Sequence, residues 1–414
     1  MIDYKRYTLN NGLTLVVHRD TSSPIAAVNM LYKVGSKNES PEKTGFAHLF
    51  EHLMFSGSVN APDFDKAIQM ASGENNAFTG SDYTNYYITL PKENIETALW
   101  LESDRLLSPN ITEHNIEVQK SVVVEEFNQR YLNQPYGDIW LLLRPLAYKV
   151  HPYSWSTIGK KVEHIQNATA EDVQAFFNTH YTPSNAILSI VADMDEDEMY
   201  QLVEKWFADI PNRKAEQNAI PQEPKQLEAR EQAVYRNVPS DAIYKAYKMC
   251  NRVDADYYTC DMISDILSNG RSARMYRRLV QEKQLFSNIS AYLTGELDEG
   301  LFVIAGRLLP AISIDIAEQA IEEEFRQLID KPVTDYELEK VKNKVEAAQI
   351  FADTSVLNKA MTLAYYEMLG DLSLANREIE LYRKISKDDI GRVGANIFNP
   401  KRCSTLYYLS NSKT

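Results

Sequence analysis

The sequence predicts an α+β protein built from two duplicated α/β units, and three observations carry that prediction. Strand-like runs and helical periods alternate along the first half of the 414 residues. A stretch rich in Gln, Glu, Lys, Ala and Pro, poor in apolar residues, lies near the middle of the chain. Segments of the first half recur in the second in the same order. Thr334-Asp335-Tyr336-Glu337-Leu338 echoes Thr112-Glu113-His114-Asn115-Ile116, and Ser386-Lys387-Asp388-Asp389 with Asn399-Pro400 echoes Thr169-Ala170-Glu171-Asp172 with Thr182-Pro183, an offset of about 220 residues. The expected division is a first domain over 1–210, a linker over 211–232 and a second domain over 233–414.

In order, Tyr7 to Val17 reads as two strands around Asn11-Gly12, and Ile25 to Val34 as a further apolar strand. The polar loop Gly35-Ser36-Lys37-Asn38-Glu39 leads to a helix at Gly45 to Phe55. A short amphipathic helix around Asp63 to Met70 precedes an extended run from Asn75 to Leu90. Helical periods then cover Ile95 to Leu107 and Ile116 to Phe127, the second by context despite the β-branched Val122-Val123-Val124. Asn133 to Gly137 forms a loop, and helix resumes to about Tyr148. Thr169 caps a helix through Phe177, and Asn185 to Ala192 is a strand.

A composition of 44% hydrophobic and 25% charged residues is that of an ordinary globular chain, and the net charge of −14 argues against binding nucleic acid through its phosphates. No apolar run is long enough to span a membrane. Cys250, Cys260 and Cys403, an odd set without ligand spacing, read as reduced core thiols. With no leader-like start, the expected location is cytoplasmic, or periplasmic if a signal peptide has been removed.

The segment Gly45 to Phe55 is apolar except for His48, Glu51 and His52. On a helix these stand at i, i+3 and i+4, so their side chains leave one face within about 100°. Two imidazoles one turn apart can hold Zn²⁺, and a carboxylate beside them can take a proton from a water on the metal. This is the H-x-x-E-H signature of inverzincins. At least one more ligand is needed, for which downstream acids are candidates. Nothing like the motif occurs in the second half, where Ala348 stands at the offset of Glu126.

His48-Leu49-Phe50-Glu51-His52, then Asn76-Ala77-Phe78-Thr79, then Val122-Val123-Val124-Glu125-Glu126 resembles the pitrilysin/insulinase family of zinc peptidases. The likeness continues through His151-Pro152-Tyr153, Gly159, the Asn185 strand and Gly270 to Leu279, so it covers nearly the whole chain. Its short two-domain branch includes the mitochondrial processing peptidase. The resemblance implies two mostly antiparallel sheets covered by helices, clam-like halves enclosing the site, and one Zn²⁺ per chain. The third ligand falls on Glu126, with Glu125 the alternative. Glu51 becomes the general base of a peptidase acting on peptides or unfolded segments. Asn76, Ala77 and Phe78 match the edge strand that pairs with substrate backbone. Gln119, about two turns before Glu126, stands where relatives carry a second Glu; it can orient a ligand but cannot take a proton at neutral pH. The family's Arg/Tyr pair, which contacts the substrate carbonyl, is replaced by Val280 and Ser287. The chain therefore resembles the zinc-bearing member of a heterodimer whose homologous partner supplies that pair. A self-sufficient homodimer would need another donor, such as Tyr83, Tyr86 or Arg274, and a non-catalytic assembly subunit of the same fold is the third reading.

Overall fold

The computed structural model describes residues 1–213 and 219–411; residues 214–218, inside the expected linker, and 412–414 lie outside that description. Among the described residues, eleven strands form two sheets. They are β1 (Lys5–Thr8), β2 (Thr14–Arg19), β3 (Ile25–Tyr32), β4 (Glu74–Thr79), β5 (Thr84–Pro91), β6 (Ala186–Ala192), β7 (Arg230–Arg236), β8 (Ala242–Lys248), β9 (Phe286–Leu293), β10 (Leu301–Leu308) and β11 (Cys403–Ser410). The first sheet has the order β1-β2-β6-β3-β5-β4 and the second β7-β11-β8-β10-β9. Apart from β1 the two match strand for strand. Each has one parallel pair, β2 with β6 and β7 with β11, and every other pairing is antiparallel. The extended run expected from Asn75 to Leu90 is two strands, because Gly80-Ser81-Asp82-Tyr83 turns the chain back on itself and the Tyr83 carbonyl accepts the Gly80 N–H at 2.8 Å.

The repeat extends to the helix caps. Thr169 and Ser386 each form a capping box, with Asp172 and Asp389, at the head of 11-residue helices that lead through a Pro-initiated turn into β6 and β11. The echo also holds at Thr112, whose hydroxyl accepts the Asn115 N–H, and at Thr334, whose hydroxyl accepts the Glu337 N–H.

The two compact units are not contiguous in sequence. The first comprises Met1–Asn128, Trp155–Ile220 and Gln349–Arg377; the second comprises Gln129–Ser154, Pro221–Ala348 and Glu378–Thr414. Each half of the chain thus lends a segment to the other half's unit, which a division at 210 and 232 does not anticipate. Burial drives both exchanges. In the first unit the helix Val356–Leu369 sets Val356, Ala360 and Leu363 against Val16, Ala27 and Val191 of β2, β3 and β6. Lys359 pairs there with buried Asp20 at 2.6 Å. In the second unit the helix Ile139–Ala147 sets Leu143 and Ala147 against Ala242, Tyr244 and Leu406. Without these helices one face of each sheet would expose its apolar side chains to water. Among the described residues no helix is long and apolar enough to cross a membrane.

Candidate metal centre

The centre lies wholly within the first unit. The histidine helix, Phe46–Leu53, buries Phe46, Leu49, Phe50 and Leu53 and leaves His48, Glu51 and His52 half-buried on its other face. Phe50 anchors it: its ring meets Tyr181 at 4.6 Å and stacks on Phe177 at 6.0 Å, at the end of the Ala170–His180 helix. Rotating the histidines inward would therefore pull an aromatic side chain out of the core.

The helix Glu113–Phe127 packs against the histidine helix. Its buried residues Ile116, Lys120, Val123 and Phe127 recur with helical spacing, which outweighs the weak helix propensity of the valine run. Glu126 follows Val123 by three positions and lies half-buried, whereas Glu125 is exposed. Glu126 Oε2 sits 3.6 Å from His48 Nε2 and 3.4 Å from His52 Nε2. The two imidazole rings are nearly perpendicular, at 87° with centroids 4.8 Å apart. One donor atom from each of the three residues lies within 4.8 Å of the others.

These donors fit zinc in kind and spacing. Bonds of about 2.1 Å at tetrahedral angles put ligand atoms about 3.4 Å apart, close to the two carboxylate–imidazole distances. Two neutral imidazoles and one carboxylate also form a set that leaves a fourth position open.

Glu51, on the same face, points to β4, where the Thr79 hydroxyl donates to Glu51 Oε2 at 2.5 Å. Burial pushes the Glu51 carboxyl above the ordinary glutamate range, a shift opposed by the Thr79 hydrogen bond and neighbouring His52 and reinforced by Glu126. Thr79 follows Asn76-Ala77-Phe78 directly in the chain, and the family resemblance gives it no role. No sequence spacing relates it to Glu51, because the contact depends on β4 passing beside the helix.

Asn76, Ala77 and Phe78 lie on β4, the edge of the first sheet, paired with Tyr87, Tyr86 and Asn85 of β5. The Asn76 side-chain oxygen accepts the Ala77 N–H at 2.8 Å, and the Phe78 ring meets Tyr83 edge-on at 5.8 Å. The Gln119 amide donates to Ser56 Oγ at 3.3 Å, so its observed partner is the chain just beyond the histidine helix. In the second unit, Val280 packs on the hydrophobic core and the Ser287 hydroxyl donates to the Arg307 carbonyl at 3.2 Å. The alternative donors have partners too: Arg274 holds Glu337 through two hydrogen bonds, and buried Tyr86 meets the Tyr181 hydroxyl at 3.0 Å. Tyr83 is half-buried, and burial pushes its hydroxyl up to about 12.

Comparison with known proteins bears on both halves. Residues 14–141 match the family described as Insulinase (Peptidase family M16), and 167–345 the Peptidase M16 inactive domain. The chain is similar to the zinc protease PqqE of Helicobacter pylori, 30% identical over 412 residues that cover 98% of this chain and 92% of the relative. It is also similar to a probable mitochondrial-processing peptidase subunit beta of Schizosaccharomyces pombe, 24% identical with 94% and 87% covered. The crystal structure of a protease from Helicobacter pylori superposes with a TM-score of 0.93 at 30% identity, covering 99% of this chain and 100% of that one. A putative M16-like peptidase from Alicyclobacillus acidocaldarius shares the fold, with a TM-score of 0.85 at 18% identity over 99% of each chain.

Proposed function

Because this chain belongs to the insulinase family of zinc proteases, peptidase family M16, we propose that it is a zinc metalloendopeptidase acting on peptides or unfolded polypeptide segments within a closed chamber. The observation that carries the proposal is the convergence of His48, His52 and Glu126, with Glu51 on the same helical face. His48, His52 and Glu126 would hold one Zn²⁺, which when bound supplies a Lewis acid that polarises a peptide carbonyl and acidifies water.

Glu51 acts as the general base. Thr79 holds one carboxylate oxygen, leaving the other to receive the proton of the attacking water and deliver it to the departing amine. The unprotonated form is required, so the Thr79 hydroxyl, which stabilises the anion, works with the chemistry against burial. The exposed edge of β4 offers backbone groups to an extended substrate, which would displace the Asn76 side chain from the Ala77 N–H and add a strand to the sheet. Such pairing favours extended substrates over folded ones.

The developing oxyanion needs a further donor. Val280 and Ser287 offer no cationic group or phenol where the family resemblance expects Arg and Tyr. A homologous partner chain bearing that pair would complete the site. The similarity to a protein named as a peptidase subunit supports this pairing.

The test measures zinc content and peptide cleavage by the isolated chain, then repeats the assay with the product of a neighbouring reading frame of similar length. Zinc without cleavage, rescued by the neighbour, is the expected result; full activity alone refutes the partner requirement. Glu51→Gln should retain zinc and lose hydrolysis, and persistent cleavage would remove Glu51 from its role.

A further inference from the structure

The histidine helix begins without a cap of its own. Among the described residues, other helices start on Asp63, Thr112, Thr169, Asp195, Ser313, Ser355 or Ser386, each accepting a backbone N–H from the first turn, while those that start on Asn94, Asp138, Lys161 and Asp256 have no side-chain cap. The histidine helix starts on Gly45, at φ +89°, with no side chain to offer. A larger residue is excluded twice over. That backbone conformation disfavours a Cβ, and a Cβ there would lie 2.7 Å from the Ile158 carbonyl oxygen and 2.8 Å from the Ile165 side chain.

The missing acceptor comes from six residues upstream. Glu39, 7% exposed, reaches back so that its Oε2 accepts the Gly45 N–H at 2.9 Å and its Oε1 accepts the Ala47 N–H at 2.8 Å. The Trp155 indole N–H donates to the same Oε2 at 3.0 Å and to the Ser36 carbonyl at 3.0 Å. A carboxyl group fits this place because the Gly45 and Ala47 N–H groups and the Trp155 indole all donate to it at the positive end of a helix; these bonds oppose burial, which pushes Glu39 up to about 8. One side chain thus ties the start of the helix to the Ser36 turn and to Trp155, all inside the first unit.

His48 is the residue immediately after Ala47, so the hydrogen-bonded backbone leads directly into the first metal-binding side chain. The helix has only eight residues, and a displacement of its first turn would carry over to His48 before interior packing could absorb it. From this we infer that Glu39 is a positioning residue for the metal centre, its buried carboxyl group setting the pose of the histidine helix against Glu126. The inference rests on the zinc reading above.

The test compares wild type with Glu39→Gln, which keeps the size of the side chain but turns an amide donor toward N–H groups, and with Trp155→Phe, which removes one donor and leaves the carboxyl group. Zn²⁺ affinity is measured by competition with a chromophoric chelator, ligand geometry by the visible spectrum of the Co²⁺-loaded chain, and kcat and KM with a peptide substrate and any required partner. Glu39→Gln should weaken metal binding at least tenfold, alter the Co²⁺ bands and lower kcat with KM within about twofold of wild type. Trp155→Phe should move the same three readouts in the same direction by less. Wild-type affinity and an unchanged Co²⁺ spectrum in folded Glu39→Gln overturn the inference. If that variant does not fold, the same two results in Trp155→Phe overturn it. A wild-type chain that binds neither metal overturns the zinc reading instead.

Discussion

Replacing Thr79 by Val removes a hydroxyl from beside Glu51 and changes almost nothing else in size. The lost hydrogen bond is to a carboxylate, a class that contributes about 1.5–3 kcal/mol. Glu51 is half-buried rather than sealed from water, so solvent replaces part of the loss and about 1.5–2 kcal/mol is the working figure. Carried into the transition state, that is a fall in kcat of about 10–30-fold. The direction of the pH effect follows from the same bond. Thr79 donates to the ionised carboxylate and holds the Glu51 pKa down; without it, the upward push of burial acts with less opposition. A general base must be ionised, so the acidic limb of the kcat–pH profile should move to higher pH in Thr79→Val. Thr79→Ser, which keeps the hydroxyl, should stay near wild type on both measures. Steady-state kinetics across the acidic range, with zinc content checked in each variant, reads both effects. An unchanged kcat and an unmoved limb in zinc-replete Thr79→Val would refute the role assigned to this contact.

Glu126→Gln should lower zinc affinity by about 10–100-fold or more, whereas Glu125→Gln, on the exposed side of the same helix, should leave it within about twofold; equal losses in equilibrium dialysis would reverse the choice between them. Lys359→Met should cost about 1–2 kcal/mol in urea unfolding at neutral pH, because it leaves Asp20 buried without its cation. Asp20 is lowered from 3.8 to about 2 in the folded chain; although burial opposes the shift, the Lys359 and Ser22 hydrogen bonds win. Its stabilisation is therefore complete above 3.8 and lost as pH falls through about 2, and the difference between wild type and Lys359→Met should shrink over that window. A constant difference down to pH 2 would show that the pair is not the cause.

Much of the site was legible along the chain because it lies along helices. His48, Glu51 and His52 share a face by period alone, and the buried spacing of Ile116, Lys120, Val123 and Phe127 determines which way the neighbouring acids turn. The duplication was visible because capping residues are local: Thr169 and Ser386 do the same work in their own first turns, whatever surrounds them. What escaped was every contact formed across elements. Glu39 read as one more polar loop residue, though the clue was present: a helix starting on glycine must find its acceptor elsewhere. Thr79 gave no clue, since only the passage of β4 beside the histidine helix brings it to Glu51.

The sequence by itself determined the two-unit α+β plan and the shared helical face of His48, Glu51 and His52, since helical period, caps and donor identity are properties of short stretches. The tertiary structure alone decided that the units exchange Gln129–Ser154 and Gln349–Arg377, and that Glu126 Oε2 comes within 3.6 Å of His48 Nε2 and 3.4 Å of His52 Nε2, a spacing that a shared zinc ion fits. Those outcomes depend on which apolar face finds which sheet, a choice made by burial over long chain separations that no local pattern encodes.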